Sequence, residues 1–227
     1  MNLLAVDTAR SEGSVALLLD GSVTAIEPLG AGPGFGEVLF GAIERLLAGQ
    51  PARLGDIDAF AAATGPGSFT GIRVGLVAAK AFAEAHSKPL VGISSLRALA
   101  YSAGGKARRA SLLDARRGEV FAGHYDRDAL PLSAETLGTW DDLSPRLAGA
   151  GLLVVANEPH LFEPGGSAAA AAGLARHIGP ATLAREVAML AAREIKAGKG
   201  RRPEEVEANY IRRPRAEPPA FPLAGRR

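Results

Sequence analysis

The chain has 227 residues, no cysteine and a formal net charge of +2. The lack of cysteine excludes disulfides, thiolate metal sites and a cysteine nucleophile. No uninterrupted apolar stretch approaches the roughly 20 residues that a membrane helix needs, and Met1 to Asp7 lacks the basic flank of a secretion signal. We therefore expect a cytoplasmic globular protein without a membrane partner, built as one large domain or as two lobes of roughly 100 residues.

The basic residues are concentrated at the end of the chain. Residues 201–227 hold seven arginines and four acidic residues, which leaves nineteen basic and twenty acidic residues in the first 200. A nearly neutral body argues against a broad phosphate-binding face. Residues 213–227 are rich in proline and charge and are predicted to form a flexible basic tail, either solvated or in contact with RNA.

Residues 1–105 are predicted to form the order strand-strand-strand-helix-strand-helix-strand-helix. Asp20-Gly21 separates two strand-like runs and is typical of a tight hairpin. Because strands joined through helices become parallel neighbours, the pattern predicts an α/β fold with a mixed sheet covered by helices. The expected segments are strands at 3–7, 13–19, 22–26, 57–64 and 90–93, and helices at 35–47, 71–86 and 94–103.

The second half opens in the same way as the first. Ser111 to Ala115 is an apolar strand with a terminal aspartate, and it leads through a charged turn into a second strand, Glu119 to Tyr125. This repetition predicts a second, similar lobe over residues 106–212 after a first lobe over 1–105, with chance similarity of two hairpins as the alternative. Further predicted segments are a helix at 140–147, a strand at 151–156 and a helix at 182–197 that packs back on the first lobe.

Two aspartates and one glycine-rich turn are the candidates for ligand chemistry. Asp7 and Asp114 each end a strand, where a carboxylate either faces a ligand or accepts backbone N–H bonds within its own turn. The turn Gly65 to Gly71 exposes N–H groups at a helix start but lacks the Gly-Lys-Ser/Thr ending of a P-loop. No two histidines stand three or four residues apart on one helix, so we expect no metal site. The candidate degenerate nucleotide or anion site comprises Asp7, Thr8, Gly67, Ser68, Thr70, Asp114 and Arg116.

The helix after this turn carries small residues at every fourth position. Gly71, Gly75, Ala79 and Ala83 form a continuous seam on which another backbone can lie very close. A glycine inside a helix costs about 1 kcal/mol relative to alanine, so the seam indicates either close packing on the chain's own sheet or docking of a partner subunit. The candidate partner-interface residues are Phe35, Val38, Leu39, Ala42, Ile43, Gly71, Arg73, Gly75, Val77, Ala79 and Lys80.

Four segments together carry a family resemblance. They are the opening Leu-Leu-Ala-Val-Asp-Thr, the block Gly-Pro-Gly-Ser-Phe-Thr-Gly-Ile-Arg-Val-Gly at 65–75, Leu-Asp-Ala-Arg-Arg-Gly-Glu-Val-Phe at 113–121 and Tyr-Ile-Arg at 210–212. With these segments the chain resembles the TsaB (YeaZ) family, bacterial proteins needed to make threonylcarbamoyladenosine (t6A) in tRNA. The resemblance implies an actin-like ATPase fold (ASKHA, ribonuclease H-like) of two similar lobes with mixed sheets and flanking helices.

The resemblance further implies a non-catalytic accessory subunit. Its implied partner is the catalytic paralogue TsaD, which it meets through the first two helices, with TsaE joining the complex and tRNA reached only through the complex. It implies no intrinsic cofactor, and it leaves open ATP or ADP at the complex interface and a homodimer in the absence of TsaD. One departure is Phe35-Gly36-Glu37, where many members carry His-Ser-Glu. The alternative function is a small ATPase or kinase of the actin-like superfamily that uses Asp7 and Asp114.

Overall fold

The computed structural model describes residues 1–30, 34–147, 151–168 and 174–212, without the side chains of residues 146 and 147. The predicted tail, 213–227, lies outside the described residues. The first part of the chain confirms the predicted order of elements. Its elements are β1 (Leu3–Asp7), β2 (Ser14–Leu19), β3 (Ser22–Pro28), α1 (Phe35–Ala48), β4 (Ala59–Gly65), α2 (Phe69–Ala85), β5 (Leu90–Ser94) and α3 (Ser95–Ser102).

The second part contains the predicted elements and two further strands. Strands β8 and β10 are short and largely solvent-accessible, so they carry no apolar pattern from which the sequence predicts a strand. The elements are β6 (Arg108–Asp114), β7 (Val120–Tyr125), β8 (Thr136–Gly138), α4 (Trp140–Leu147), β9 (Leu152–Ala156), β10 (Ala175–Ile178) and α5 (Ala184–Lys196), with short 3-10 helices at Leu54–Asp56, Pro159–Phe162 and Pro203–Glu205.

The two halves of the chain form two sheets with the same strand order. The first sheet has the order β3-β2-β1-β4-β5 and the second, read from its other edge, β8-β7-β6-β9-β10. In each sheet the central strand, β1 or β6, pairs antiparallel with the strand that follows it and parallel with the strand reached through a helix. The predicted duplication into two similar lobes with mixed sheets is therefore confirmed.

Helices cover the first sheet on both faces. Helices α1 and α2 pack on one face, with the α1 side chains Leu39, Ala42 and Ile43 buried against the sheet. Helix α5, from the second half of the chain, packs on β1, β2 and β4 at the other face and buries Leu183 and Val187 there. Helix α3 contacts α5 as well as β6, β7 and β9 of the second sheet, so α3 and α5 together connect the two lobes.

The small-residue seam of α2 faces the chain's own sheet. A Cβ on Gly71 would lie 2.0 Å from the carbonyl oxygen of Thr8, and one on Gly75 would lie 2.3 Å from Thr8 Oγ1. Ala79 and Ala83 continue the seam along α2 and are fully buried. The seam lets α2 approach the end of β1 closely, which corrects the expectation that Gly71, Gly75 and Ala79 contact a partner.

The C-terminal segment, residues 201–212, crosses from one lobe to the other. At its start, the backbones of Arg201 and Leu90 exchange two N–H···O hydrogen bonds. Further along, the N–H of Asn209 donates to Thr64 O at 2.8 Å. Its last described residue, Arg212, forms an ion pair with Glu119 of the second lobe. The segment therefore ties the two lobes together at the carboxyl ends of β4 and β5.

The carboxylate of Glu135 holds residues 201–212 in place by accepting several hydrogen bonds. Its carboxylate accepts hydrogen bonds from the hydroxyls of Ser94 and Tyr125, and from Asn209 Nδ2 at 2.6 Å. Burial raises the pKa of the Tyr125 hydroxyl, which therefore stays a donor.

Among the described residues, no helix is both long and apolar enough to span a lipid bilayer.

Candidate functional site

Asp7, at the end of β1, is fully buried and surrounded by donors from the chain itself. Its Oδ1 accepts from Ala9 N at 3.1 Å, and its Oδ2 accepts from Leu183 N at 2.9 Å and from Arg10 Nη2 at 3.3 Å. Leu183 is the N-cap residue of α5 and offers no side-chain cap. Asp7 supplies that cap, since a carboxylate stabilises the unsatisfied N–H groups at a helix start.

The glycine-rich turn lies directly against the chain after β1. Ser68 N donates to Ala9 O at 2.7 Å, and Ser68 Oγ accepts from Gly71 N at 3.2 Å. A Cβ on Gly67 would lie 2.0 Å from Ala9 O, so the glycine permits this contact. Thr8 Oγ1 donates to Gly71 O at 2.7 Å. The N–H groups of Ser68 and Gly71, which were expected to face an anion, are thus used within the protein. Thr70 is exposed in the first turn of α2.

Asp114 holds the equivalent position in the second lobe and has a different set of neighbours. Its Oδ1 accepts from Arg116 N at 2.7 Å, as Asp7 accepts from Ala9, so each aspartate caps its own turn. Its Oδ2 faces Arg116 Nη1 at 3.3 Å and His160 Nε2 at 3.6 Å, while its backbone N–H donates to Glu158 Oε2 at 3.0 Å. The two aspartates share no partner among the described residues.

Sequence reasoning missed Glu158 and His160. Both follow β9, and Glu158 is 44 positions from Asp114. The search for histidine pairs on one helix did not consider residues that two parallel strands bring together at their carboxyl ends. A signal was present, because a strand followed by Asn-Glu-Pro-His places polar side chains at a strand end.

The outer surface of α1 and α2 is the second candidate site, and we call it the α1–α2 face. Phe40 is 54% exposed, Val77 64% and Phe69 43%. Of the predicted interface residues, Arg73 and Val77 are exposed, and Phe35, Val38 and Lys80 are half-buried. Leu39, Ala42 and Ile43 lie in the core, which corrects their assignment to an interface.

Aromatic packing holds the α1–α2 face in place. The Phe40 ring meets Phe82 edge-on with centroids 5.7 Å apart, and Phe82 stacks on buried Phe60 at 5.9 Å. Arg73 lies over the Phe69 ring, with Cζ 4.2 Å from the centroid. Exposed aromatic and arginine side chains on rigid helices are typical of protein–protein contact centres. Sequence reasoning missed Phe40, although it lies off the buried stripe of α1 and remains 54% exposed beside Phe82.

Two glutamates of α5 allow the packing of that helix to be tested by the pH dependence of stability. Burial raises the pKa of Glu186 above 4.5, so its contribution to stability is present below the unfolded pKa and is lost as the pH rises through the folded pKa. Glu186→Gln, which mimics the protonated form, should stabilise the chain at neutral pH. Urea unfolding followed from about pH 5 to pH 8 measures the difference, which should grow with pH.

Glu194→Gln is the matched control, because the pKa of Glu194 is shifted in the opposite direction to that of Glu186. Burial acts to raise the pKa of Glu194, but Lys199 and Arg97 bind its carboxylate and lower the pKa below 4.5. Its contribution is present above the unfolded pKa and is lost in acid, so this variant should be destabilised at neutral pH. Equal effects of the two substitutions would contradict the assigned environments.

Two lobes whose sheets have the same strand order define the actin-like ATPase class of folds. Among solved structures, "YeaZ from Pseudomonas aeruginosa" matches with a TM-score of 0.73 and 25% identity over 92% of this chain and 99% of that chain. The ADPNP-bound activator of 2-hydroxyisocaproyl-CoA dehydratase from Clostridium difficile matches with a TM-score of 0.53 and 11% identity, over 92% and 99%. The expected fold is confirmed.

Sequence comparison gives the family. The family model described as "TsaD: tRNA N6-adenosine threonylcarbamoyltransferase" matches residues 25–138, half of the chain. The Escherichia coli tRNA threonylcarbamoyladenosine biosynthesis protein TsaB is 38% identical over 131 residues, and the Bacillus subtilis protein of that name is 33% identical over 128. These matches cover 56% and 55% of each chain, so the chain spans about half the length of these curated relatives. The chain belongs to the TsaB/YeaZ group of this family.

Proposed function

We propose that the chain is a non-catalytic accessory subunit for t6A formation in tRNA. Its TsaB relatives are named as t6A biosynthesis proteins, which supports a role in this modification. The observation that carries the accessory role is the exposed α1–α2 face, which lies on the two helices that the resemblance implies for partner binding.

The state of Asp7 supports a role without catalysis. A kinase or ATPase of this fold needs its strand-end aspartates free to face magnesium and the triphosphate. Both oxygens of Asp7 are engaged by Ala9, Arg10 and Leu183, and the glycine-rich turn is closed on Ala9. This arrangement disfavours the ATPase or kinase alternative. That alternative would be restored if the isolated chain turned over ATP and the Asp7→Asn substitution abolished the turnover.

The proposed partner is TsaD. A protein named tRNA N6-adenosine threonylcarbamoyltransferase from Novosphingobium aromaticivorans is 46% identical over 66 residues, and the family model covers α1 and α2. Two related chains of one fold are suited to pair through equivalent helices, as subunits do across a pseudo-twofold axis. TsaE binding, tRNA contact through the complex, ATP or ADP at the subunit joint and self-pairing without TsaD belong to the same proposal.

The test replaces exposed apolar residues of the α1–α2 face. Phe40→Asp and Val77→Asp should each weaken binding to TsaD from the same organism by roughly 30-fold or more, because an interface anchor contributes about 2 kcal/mol. Isothermal titration calorimetry measures the affinity, and circular dichroism verifies the fold.

Leu132→Asp is the matched control. Leu132 is 47% exposed, similar to Phe40, but lies in the second lobe after β7. It should leave the affinity unchanged. The proposal fails if Phe40→Asp and Val77→Asp bind TsaD as tightly as the unaltered chain does, or if Leu132→Asp is equally impaired.

A further inference from the structure

We propose that the carboxylate of Glu135 is a latch that holds the two lobes at one fixed angle. Two lobes of one chain generally move relative to each other unless the contacts between them prevent it. In this chain the end of β5 in the first lobe, the end of β7 in the second lobe and the C-terminal segment, residues 201–212, all meet at Glu135. The inference concerns the chain alone and does not rest on the proposed function.

The latch consists of one carboxylate and three donors. Glu135 directly precedes β8 and so belongs to the second lobe. Its Oε1 accepts from the hydroxyls of Ser94, the last residue of β5, and Tyr125, the last residue of β7. Its Oε2 accepts from Asn209 Nδ2 at 2.6 Å. The hydrogen bond from Ser94 therefore crosses between the lobes, whereas the one from Tyr125 stays within the second lobe.

Ser94 ties the latch to a helix that contacts both lobes. Its Oγ also accepts from the backbone N–H groups of Leu96 and Arg97, at 3.2 and 3.3 Å, and so caps α3. Helix α3 packs on β4 and β5 as well as on β6 and β7. A rotation of one lobe against the other would separate Ser94 from Tyr125, so the carboxylate would lose one of the two. Because hydrogen bonds to a carboxylate are strong and Tyr125 is only 1% exposed, that loss is costly.

The C-terminal segment is seated on the first lobe by its backbone and by Val206. Asn209 N donates to Thr64 O of β4 at 2.8 Å. Val206 is 5% exposed and lies over Gly92 of β5, where an added Cβ would be 2.9 Å from Val206 Cγ1. The backbone of Asn209 is thus held by the first lobe while its side chain is held by Glu135 of the second lobe, so this residue is a further connection between them.

The contact at the end of this segment is weaker. Arg212 forms an ion pair with Glu119, but the two side chains are 39% and 37% exposed. Solvent screens such a pair, so it contributes little. The hydrogen bonds that Glu135 accepts from Ser94 and Asn209 are therefore the polar contacts that we expect to fix the angle between the lobes.

The test measures the distance between the lobes by double electron–electron resonance. The chain has no cysteine, so Glu44→Cys on α1 and Asp141→Cys on α4, both at exposed positions, introduce one spin-label site in each lobe. We expect one narrow distance distribution when no further residue is changed. Glu135→Ala should broaden it roughly twofold or more, because the lobes are then free to move about the elements that connect them. Asn209→Ala should broaden it by a smaller factor.

Tyr125→Phe is the matched control, because it removes one donor of the latch without breaking a bond between the lobes. The width of its distribution should be that of the unaltered chain. Circular dichroism verifies folding of each variant, and Asn209→Ala decides the question if Glu135→Ala does not fold. The proposal is overturned if the latch variants that fold keep the narrow distribution, since the shared apolar packing would then suffice. It is also overturned if the unaltered chain gives a broad distribution, or if Tyr125→Phe broadens it as much as Glu135→Ala does.

Discussion

Gly71→Ala is expected to destabilise the chain by about 3 kcal/mol, at the upper end of the usual cost of overpacking. The added Cβ would lie 2.0 Å from the Thr8 carbonyl oxygen, a backbone atom directly after the carboxyl end of the central strand β1. The methyl group is accommodated only if α2 moves away from β1, which disturbs the core beneath it. Urea unfolding of the isolated chain measures the loss.

Gly41→Ala is the control, because Gly41 also lies within a helix but has space. Its Cβ would meet only Arg45 Nη1, at 3.5 Å, so the variant should be more stable by up to about 1 kcal/mol. Gly75→Leu should behave like Gly71→Ala, since its Cβ would lie 2.3 Å from Thr8 Oγ1. Gly71→Ala and Gly41→Ala of equal stability would show that α2 does not pack on β1 as described.

Asp7→Ala is expected to cost about 3–5 kcal/mol, the range for removing one partner of a buried ion pair. The substitution removes the carboxylate that is paired with the buried guanidinium of Arg10, and leaves that guanidinium with the Pro180 carbonyl at 3.4 Å and the charge of Glu186. It also removes the acceptor of Leu183 N at the start of α5. Because α5 covers one face of the first sheet, thermal unfolding should show a large drop in midpoint.

Asp114→Ala provides the comparison within the same fold. Asp114 holds the matching position, but its partner Arg116 is exposed and no helix start depends on it. We expect a loss of only about 1 kcal/mol, the value of one turn-capping hydrogen bond. A larger loss for Asp114→Ala than for Asp7→Ala would refute the structural role given to Asp7.

Local patterns were sufficient to predict most of the fold. Alternation, turn residues and helical spacing act between near neighbours, so the elements of the first lobe and the repeated hairpin were predicted. The seam of α2 was ambiguous because small residues at Gly71 and Gly75 suit any close backbone, and only the position of Thr8 identifies that backbone as the chain's own.

The candidate sites depend on contacts that sequence spacing does not reveal. Asp7 receives its hydrogen bond from Leu183, 176 positions away, and this contact changes a candidate ligand group into a helix cap. The cluster around Asp114 likewise depends on the pairing of β6 with β9. Phe40, by contrast, was available to sequence reasoning, since it lies outside the apolar stripe of its helix.

Hydrogen–deuterium exchange of the chain with and without TsaD tests the central claim most directly. The claim is that this fold acts by presenting the outer surface of Phe35–Ala48 and Phe69–Ala85 to a related subunit. The account predicts slower exchange in peptides from both helices when TsaD binds, with peptides from β6 to β8 unchanged. A complex that forms while exchange in both helices stays the same would contradict it.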